Sequence, residues 1–183
     1  GDFFDHPQFI DSVATTMKEE LSDFRPDYVL FSYHGLPERH MEKSDMPNID
    51  CNRKTPCPRI GPNNRYCYRA QCYETTRLIA HRLGLADESH GLAFQSRLGR
   101  TPWIQPYTDE LVEDLAQKGI KRLAVATPSF VADCLETLEE IGIRLREQWF
   151  DLGGEDFIFL KCVNNHPSFI QALANLVQAP FNH

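Results

Sequence analysis

The sequence predicts an α/β fold: a doubly wound, mainly parallel four-stranded sheet with an irregular cysteine-rich insertion. Three observations carry this. Short apolar runs alternate with amphipathic stretches in the order αβαβαβαβα, and most links between them are short, which favours parallel strands joined by crossover helices. The 183 residues are enough for one domain with a full core. One segment dense in Pro, Asn, Arg and Cys lacks any periodicity and interrupts the alternation once.

Taken in order, Pro7–Leu21 reads as a helix because Phe9, Ile10, Val13, Met17 and Leu21 share one stripe. Tyr28–Tyr33 is a strand that hands over to His34-Gly35-Leu36-Pro37. Glu38–Tyr68 is the irregular stretch. A helix over about Gln71–Leu83 stops at Gly84, a left-handed cap. Strand Gly91–Phe94 is followed by a loop, Gln95–Tyr107, that carries Trp103. Thr108 opens a helix with Asp109 and Glu110 in its first turn, and Gly119 closes it. Strand Leu123–Ala126 leads through Thr127-Pro128-Ser129-Phe130 into a helix expected from Val131 to Trp149, with Gly142 weakening its middle. Strand Phe157–Cys162 and helix Pro167–Gln178 follow. His6-Pro7-Gln8-Phe9-Ile10 is echoed by His166-Pro167-Ser168-Phe169-Ile170, each opening an amphipathic helix. The echo implies that residues 1–22 close a preceding, homologous domain. Residues 23–183 then form a C-terminal domain with the cysteine-rich insertion at 38–72.

Composition narrows the function. A net charge of -7 argues against nucleic acid as a partner. No run of eighteen apolar residues exists to span a membrane, and no leader pattern is visible, so a cytoplasmic location is expected with peripheral membrane contact left open.

In open parallel sheets ligands bind beyond the carboxyl ends of the strands. His34 stands at such an end. The loops at Gln95-Ser96-Arg97, Thr127–Phe130 and Asn164-Asn165-His166 share its rim. Asp133, Glu136 and Glu140 are spaced i, i+3, i+7 and are expected on one helical face, with Leu135 and Leu138 turned to the core. An imidazole facing carboxylates can hold a borderline metal ion, or take protons from a ligand that must lose them to bind one. That chemistry suits metal insertion into a nitrogen macrocycle.

Of six cysteines, Cys51, Cys57, Cys67 and Cys72 cluster in the irregular stretch, while Cys134 and Cys162 read as small packing residues. The spacing x5, x9, x4 is neither a zinc ribbon nor a ferredoxin run. By count the four suit [2Fe–2S] or zinc equally, and free thiols remain the third reading. Arg53, Lys54, Arg59, Arg65 and Arg69 crowd the same stretch and would balance thiolate charge.

Three separated motifs carry a family resemblance: Ser32-Tyr33-His34-Gly35-Leu36-Pro37; Phe94-Gln95-Ser96-Arg97 with Pro102-Trp103 and Thr108-Asp109-Glu110; and the run Phe130 to Glu140. From Phe4 to about Val177 the chain resembles ferrochelatases, which insert ferrous iron, the substrate metal, into a porphyrin in haem synthesis. The resemblance implies His34 as the active-site histidine and Glu136 as its partner acid, both facing the substrate iron. It implies Asp133 and Glu140 as an acidic track, and Ser32, Tyr33 and Trp103 in the porphyrin cleft. It also implies two similar domains, so this chain looks like the C-terminal half, inactive without its N-terminal partner domain. The porphyrin is protoporphyrin IX or coproporphyrin III. Some bacterial members carry four cysteines in an internal segment that bind [2Fe–2S], which favours an iron–sulfur cluster on Cys51, Cys57, Cys67 and Cys72. The competing readings are a cobalt chelatase acting on a corrinoid precursor and a non-catalytic iron–sulfur or redox-sensing module on a chelatase-like fold. The sequence does not speak to oligomeric state.

Overall fold

In the computed structural model, residues 2–44 and 57–178 are described. The chain runs α1 (Pro7–Phe24), β1 (Tyr28–His34), α2 (Glu38–Ser44), α3 (Tyr68–Leu83), β2 (His90–Gln95), α4 (Thr108–Gln117), β3 (Arg122–Ala126), α5 (Leu135–Leu138), a wide helical segment Glu140–Leu145, α6 (Arg146–Asp151), β4 (Asp156–Leu160) and α7 (Pro167–Gln178). The four strands are all parallel, in the order β2-β1-β3-β4. The chain leaves β1 toward one edge and returns to build the other, so the strand order reverses at β1. Such a switch point opens a crevice beyond the strand ends.

Alternate residues of a strand face opposite sides, so the sheet carries two cores. Phe31 and Tyr33 join α1, α3 and α7 through Phe9, Met17, Ile79 and Phe169. Leu30, Leu123 and Val125 join α4 and α6 through Val112, Leu115 and Trp149 on the other side. Trp149 is fully buried and its indole N–H donates to the Asp156 carbonyl at 3.0 Å. Gly154 makes room for it: a Cβ there would stand 2.1 Å from the indole nitrogen. The stripe of α1 packs into this same domain, with Phe9 and Phe169 edge to face at 6.3 Å, so the two echoed helices lie side by side.

The structure departs from the sequence expectations in three places. The irregular stretch contains α2, whose seven residues are too few to display a 3.6-residue period but are anchored by buried Met41. Helix α3 begins at Tyr68 rather than Gln71, with Cys67 as its N-cap. The helix expected from Val131 starts at Leu135 instead. Asp133 is spent on a loop: its carboxylate accepts the Cys162 N–H at 3.2 Å and the Asn164 side-chain amide at 2.7 Å. Past Glu139 the turns widen to i→i+5, as in the Arg144 N–H to Glu139 carbonyl bond at 2.9 Å around Gly142.

Candidate active site at the strand ends

His34 is the last residue of β1, paired with Gln95 of β2. Its ring lies between two aromatic side chains, 6.4 Å from Trp103 and 6.1 Å from Phe130 by centroid. Gly35 permits the first approach. A Cβ there would stand 2.9 Å from the Gln95 carbonyl oxygen and 3.2 Å from the Trp103 ring. The indole N–H of Trp103 donates to the Leu98 carbonyl at 3.0 Å, which fixes its plane. His34 Nδ1 lies 2.6 Å from the Gly35 carbonyl oxygen. A carbonyl only accepts, so Nδ1 carries the proton and the Nε2 lone pair is left for chemistry.

Glu136 stands in the first turn of α5, and its backbone carbonyl accepts the Gln95 side-chain amide at 2.7 Å, beside the end of β2. Its own backbone N–H and the Cys134 thiol hold its carboxyl below the usual carboxylate range, and the imidazole of His34 adds to that pull. The other two acids do not lie on one helical stripe with Glu136, because Asp133 precedes the helix. The three are instead spread along the rim. Asp133 sits at the end of β4 with Cys162 and Asn164. Glu136 lies near the end of β2 through its backbone bond with Gln95. Glu140 sits at the end of β2, where it accepts the Ser96 N–H and hydroxyl, each at 2.7 Å, and the Gln95 amide at 3.3 Å. Ser96 has a left-handed φ of 65° that costs a non-glycine residue energy, and the double bond to Glu140 holds it there. Leu135 and Leu138, expected in the core, are 72% and 51% exposed because the late helix start rotates them outward.

Ser32 and Tyr33, expected in the cleft, are buried. The Ser32 hydroxyl donates to the Gln95 side-chain oxygen and meets Thr108 Oγ1, both at 2.8 Å. Ser32 thus braces the floor beneath His34. Tyr33 points to the opposite face and pairs with the Thr76 hydroxyl at 2.9 Å, lining a cavity of about 260 Å³ with Tyr68, Cys72 and Ser129.

Of the four clustered cysteines, Cys51, with Arg53 and Lys54, lies outside the described residues. Cys57, Cys67 and Cys72 are buried, and the three are gathered where α3 begins. Burial pushes the Cys72 thiol up, and neighbouring Cys67 and Cys57 push it further. Arg69, only 5% exposed, donates to Cys57 Sγ at 2.8 Å and twice to the Gln105 carbonyl at 3.2 Å. Among the described residues, no three His, Cys, Asp or Glu side chains are arranged to hold a metal ion.

Two residues near His34 escaped the sequence reading. Tyr68 donates its hydroxyl to the His34 carbonyl at 2.9 Å, and Ser129 accepts the His34 N–H at 3.2 Å. Ser129 stood in a strand-end loop and was within reach of pattern reasoning; Tyr68 fell in the stretch without periodicity.

A parallel α/β sheet whose switch point presents a histidine, a carboxylate and two aromatic rings defines a class of small-ligand proteins built on strand-end crevices. Comparison with known proteins narrows the class. The family model described as Ferrochelatase matches residues 1–180. A protein named ferrochelatase from Coxiella burnetii (strain Dugway 5J108-111) is 54% identical over 176 residues, covering 96% of this chain and 50% of the relative. One from Legionella pneumophila (strain Lens) is 52% identical over 180 residues, covering 98% of this chain and 53% of the relative. The chain belongs to the ferrochelatase family. It spans about half the length of the curated relatives it matches.

Proposed function

We propose that this chain is the C-terminal half of an enzyme that inserts ferrous iron into protoporphyrin IX or coproporphyrin III in haem biosynthesis, with residues 23–183 as the chelatase domain and residues 1–22 linking it to an N-terminal one. The observation that supports the reading is His34 at the end of β1, by the switch point, its imidazole flanked by Trp103 and Phe130 and the acidic start of α5 bonded to the neighbouring strand end. Two aromatic walls suit a flat macrocycle, and the free Nε2 suits its central N–H groups.

In this mechanism the porphyrin lies against Trp103, bent so that its pyrrole nitrogens tilt toward His34. Distortion of this kind stores a few kcal/mol, roughly 1–5, drawn from contacts elsewhere on the ligand. His34 Nε2 accepts a pyrrole proton. The Glu136 carboxylate, held anionic, takes the second pyrrole proton, so that two protons leave as one ferrous ion enters. Asp133 and Glu140 extend the negative rim to either side, and Glu140 in addition locks the end of β2. Iron is substrate here and leaves in the product.

We further propose that Cys51, Cys57, Cys67 and Cys72 hold a [2Fe–2S] cluster. Support comes from the four-cysteine count and from the Arg69 guanidinium against Cys57 Sγ, which would balance thiolate charge; Cys57, Cys67 and Cys72 as placed do not form a ligand set, so the cluster would require them to rearrange. Such a cluster would supply a redox-responsive crosslink between the insertion and α3. Iron and acid-labile sulfide in the purified protein, with visible absorption, are the expected result; zinc in a colourless sample overturns it. A cytoplasmic location, with peripheral membrane contact left open, is part of the same proposal. Among the described residues no helix is long and apolar enough to cross a membrane.

His34→Ala in the complete enzyme is expected to lower iron insertion by about 100-fold or more while the fold is kept. Turnover like wild type in that variant would remove His34 from the mechanism.

A further inference from the structure

The parallel ladder between β1 and β3 ends at Phe31 and Ala126, while the ladder to β2 continues to His34 and Gln95. In a parallel pair, successive residues direct their backbone groups to alternate sides. The Gly35 N–H donates to the Gln95 carbonyl at 2.8 Å, toward β2. The N–H and C=O of His34 therefore face the other way, where β3 has already turned off into Thr127-Pro128-Ser129. A strand end left open like this strands two backbone groups at the very residue that does the chemistry.

Two side chains fill the place of the missing strand. Ser129 Oγ accepts the His34 N–H at 3.2 Å, and the Tyr68 hydroxyl donates to the His34 carbonyl at 2.9 Å. Tyr68 also touches the Ser129 hydroxyl and the Cys72 thiol. Beyond these groups lies the 260 Å³ cavity, whose other walls include Phe3, Phe9 and Val131. The next peptide in the chain carries the Gly35 carbonyl, to which His34 Nδ1 is bonded.

We propose that Tyr68 is a positioning residue for His34: with Ser129 it replaces the absent β3 backbone, holds the His34–Gly35 peptide in place, and so keeps the imidazole proton on Nδ1 and the lone pair on Nε2. This rests on the reading of His34 as the base. It also gives the cysteine-bearing start of α3 a direct mechanical link to the active site, since Tyr68 lies between Cys67 and Cys72 in sequence and its hydroxyl meets the Cys72 thiol.

The test is the tautomer of His34, read from ¹⁵N shifts of the histidine-labelled chain, with His34→Gln assigning the signal. Wild type is expected to show the Nδ1–H form alone, and Tyr68→Phe a mixture of both tautomers. In the complete enzyme Tyr68→Phe is expected to lower kcat about tenfold with the porphyrin KM unchanged within about twofold, the pattern of a misaimed reacting group. An unchanged tautomer in Tyr68→Phe overturns the positioning role, whatever kcat does. A wild-type enzyme that inserts no iron overturns the proposed function instead, while the tautomer measurement still decides the positioning role. Should circular dichroism show Tyr68→Phe unfolded, Ser129→Ala, which removes the opposite clamp, is read in the same way.

Discussion

At the rim, each polar group around His34 has a defined partner: its N–H and C=O, its Nδ1, the Trp103 indole and the Glu140 carboxylate are all bonded within the domain. The segment from Cys57 to Cys72 is built otherwise. Three thiols lie 3–7% exposed and packed as small apolar residues, with the Arg69 guanidinium on Cys57 and the Tyr68 hydroxyl against Cys72. The rim is a finished geometry that needs only its ligand. The cysteine segment packs thiols where negative thiolates would require compensation, and the buried Arg69 guanidinium is the charge set against Cys57 there. The comparison teaches where each region is vulnerable: the rim through the packing beneath it, the cysteine segment through one charge.

The largest effect should come from below the rim. Trp149→Ala removes a fully buried indole under the α4–α6 face and is expected to cost about 3–5 kcal/mol of unfolding free energy by denaturant titration. A loss below about 1 kcal/mol would mean that the rim does not depend on that face. Next, Arg69→Met keeps volume but strips the bonds to Cys57 and Gln105. It is expected to cost about 2–3 kcal/mol and to raise hydrogen exchange in α3 first. Uniform exchange across the sheet would erase the contrast drawn between the two regions. The smallest effect is at the β4 end of the rim. Burial raises the Glu20 carboxyl above its ordinary value; the Lys161 N–H opposes this, and Asp133 adds to it. A raised carboxyl stabilises the fold while protonated and loses that stability as pH climbs through the folded value. Glu20→Gln should therefore gain about a few tenths of a kcal/mol at pH 7 and nothing below about pH 4, read from melting curves at both. A gain that persists in acid would assign the effect to packing.

Much of this was legible in one dimension. The alternation of elements marked the parallel sheet, and His34 announced itself by standing between a buried strand and a Gly-Leu-Pro turn. Spacing grouped Asp133, Glu136 and Glu140 on one helical face, and the resemblance proposed Glu136 as the partner acid. The same spacing misplaced Asp133 and turned Leu135 and Leu138 inward, because a carboxylate captured by Cys162 and Asn164, far away in the chain, delayed the helix. Ser32 and Tyr33 belonged to the right motif, yet the strand period sends one under the floor and the other to the opposite face.

The chain alone determined the alternation of helices and strands and which residues are candidates for the chemistry, since periodicity and residue type are local properties. Only the folded arrangement decided that β3 ends three residues short of His34, and that Tyr68 and Ser129 stand in the gap. Those facts depend on the register between strands and on helices packed from distant parts of the sequence, for which no local pattern exists.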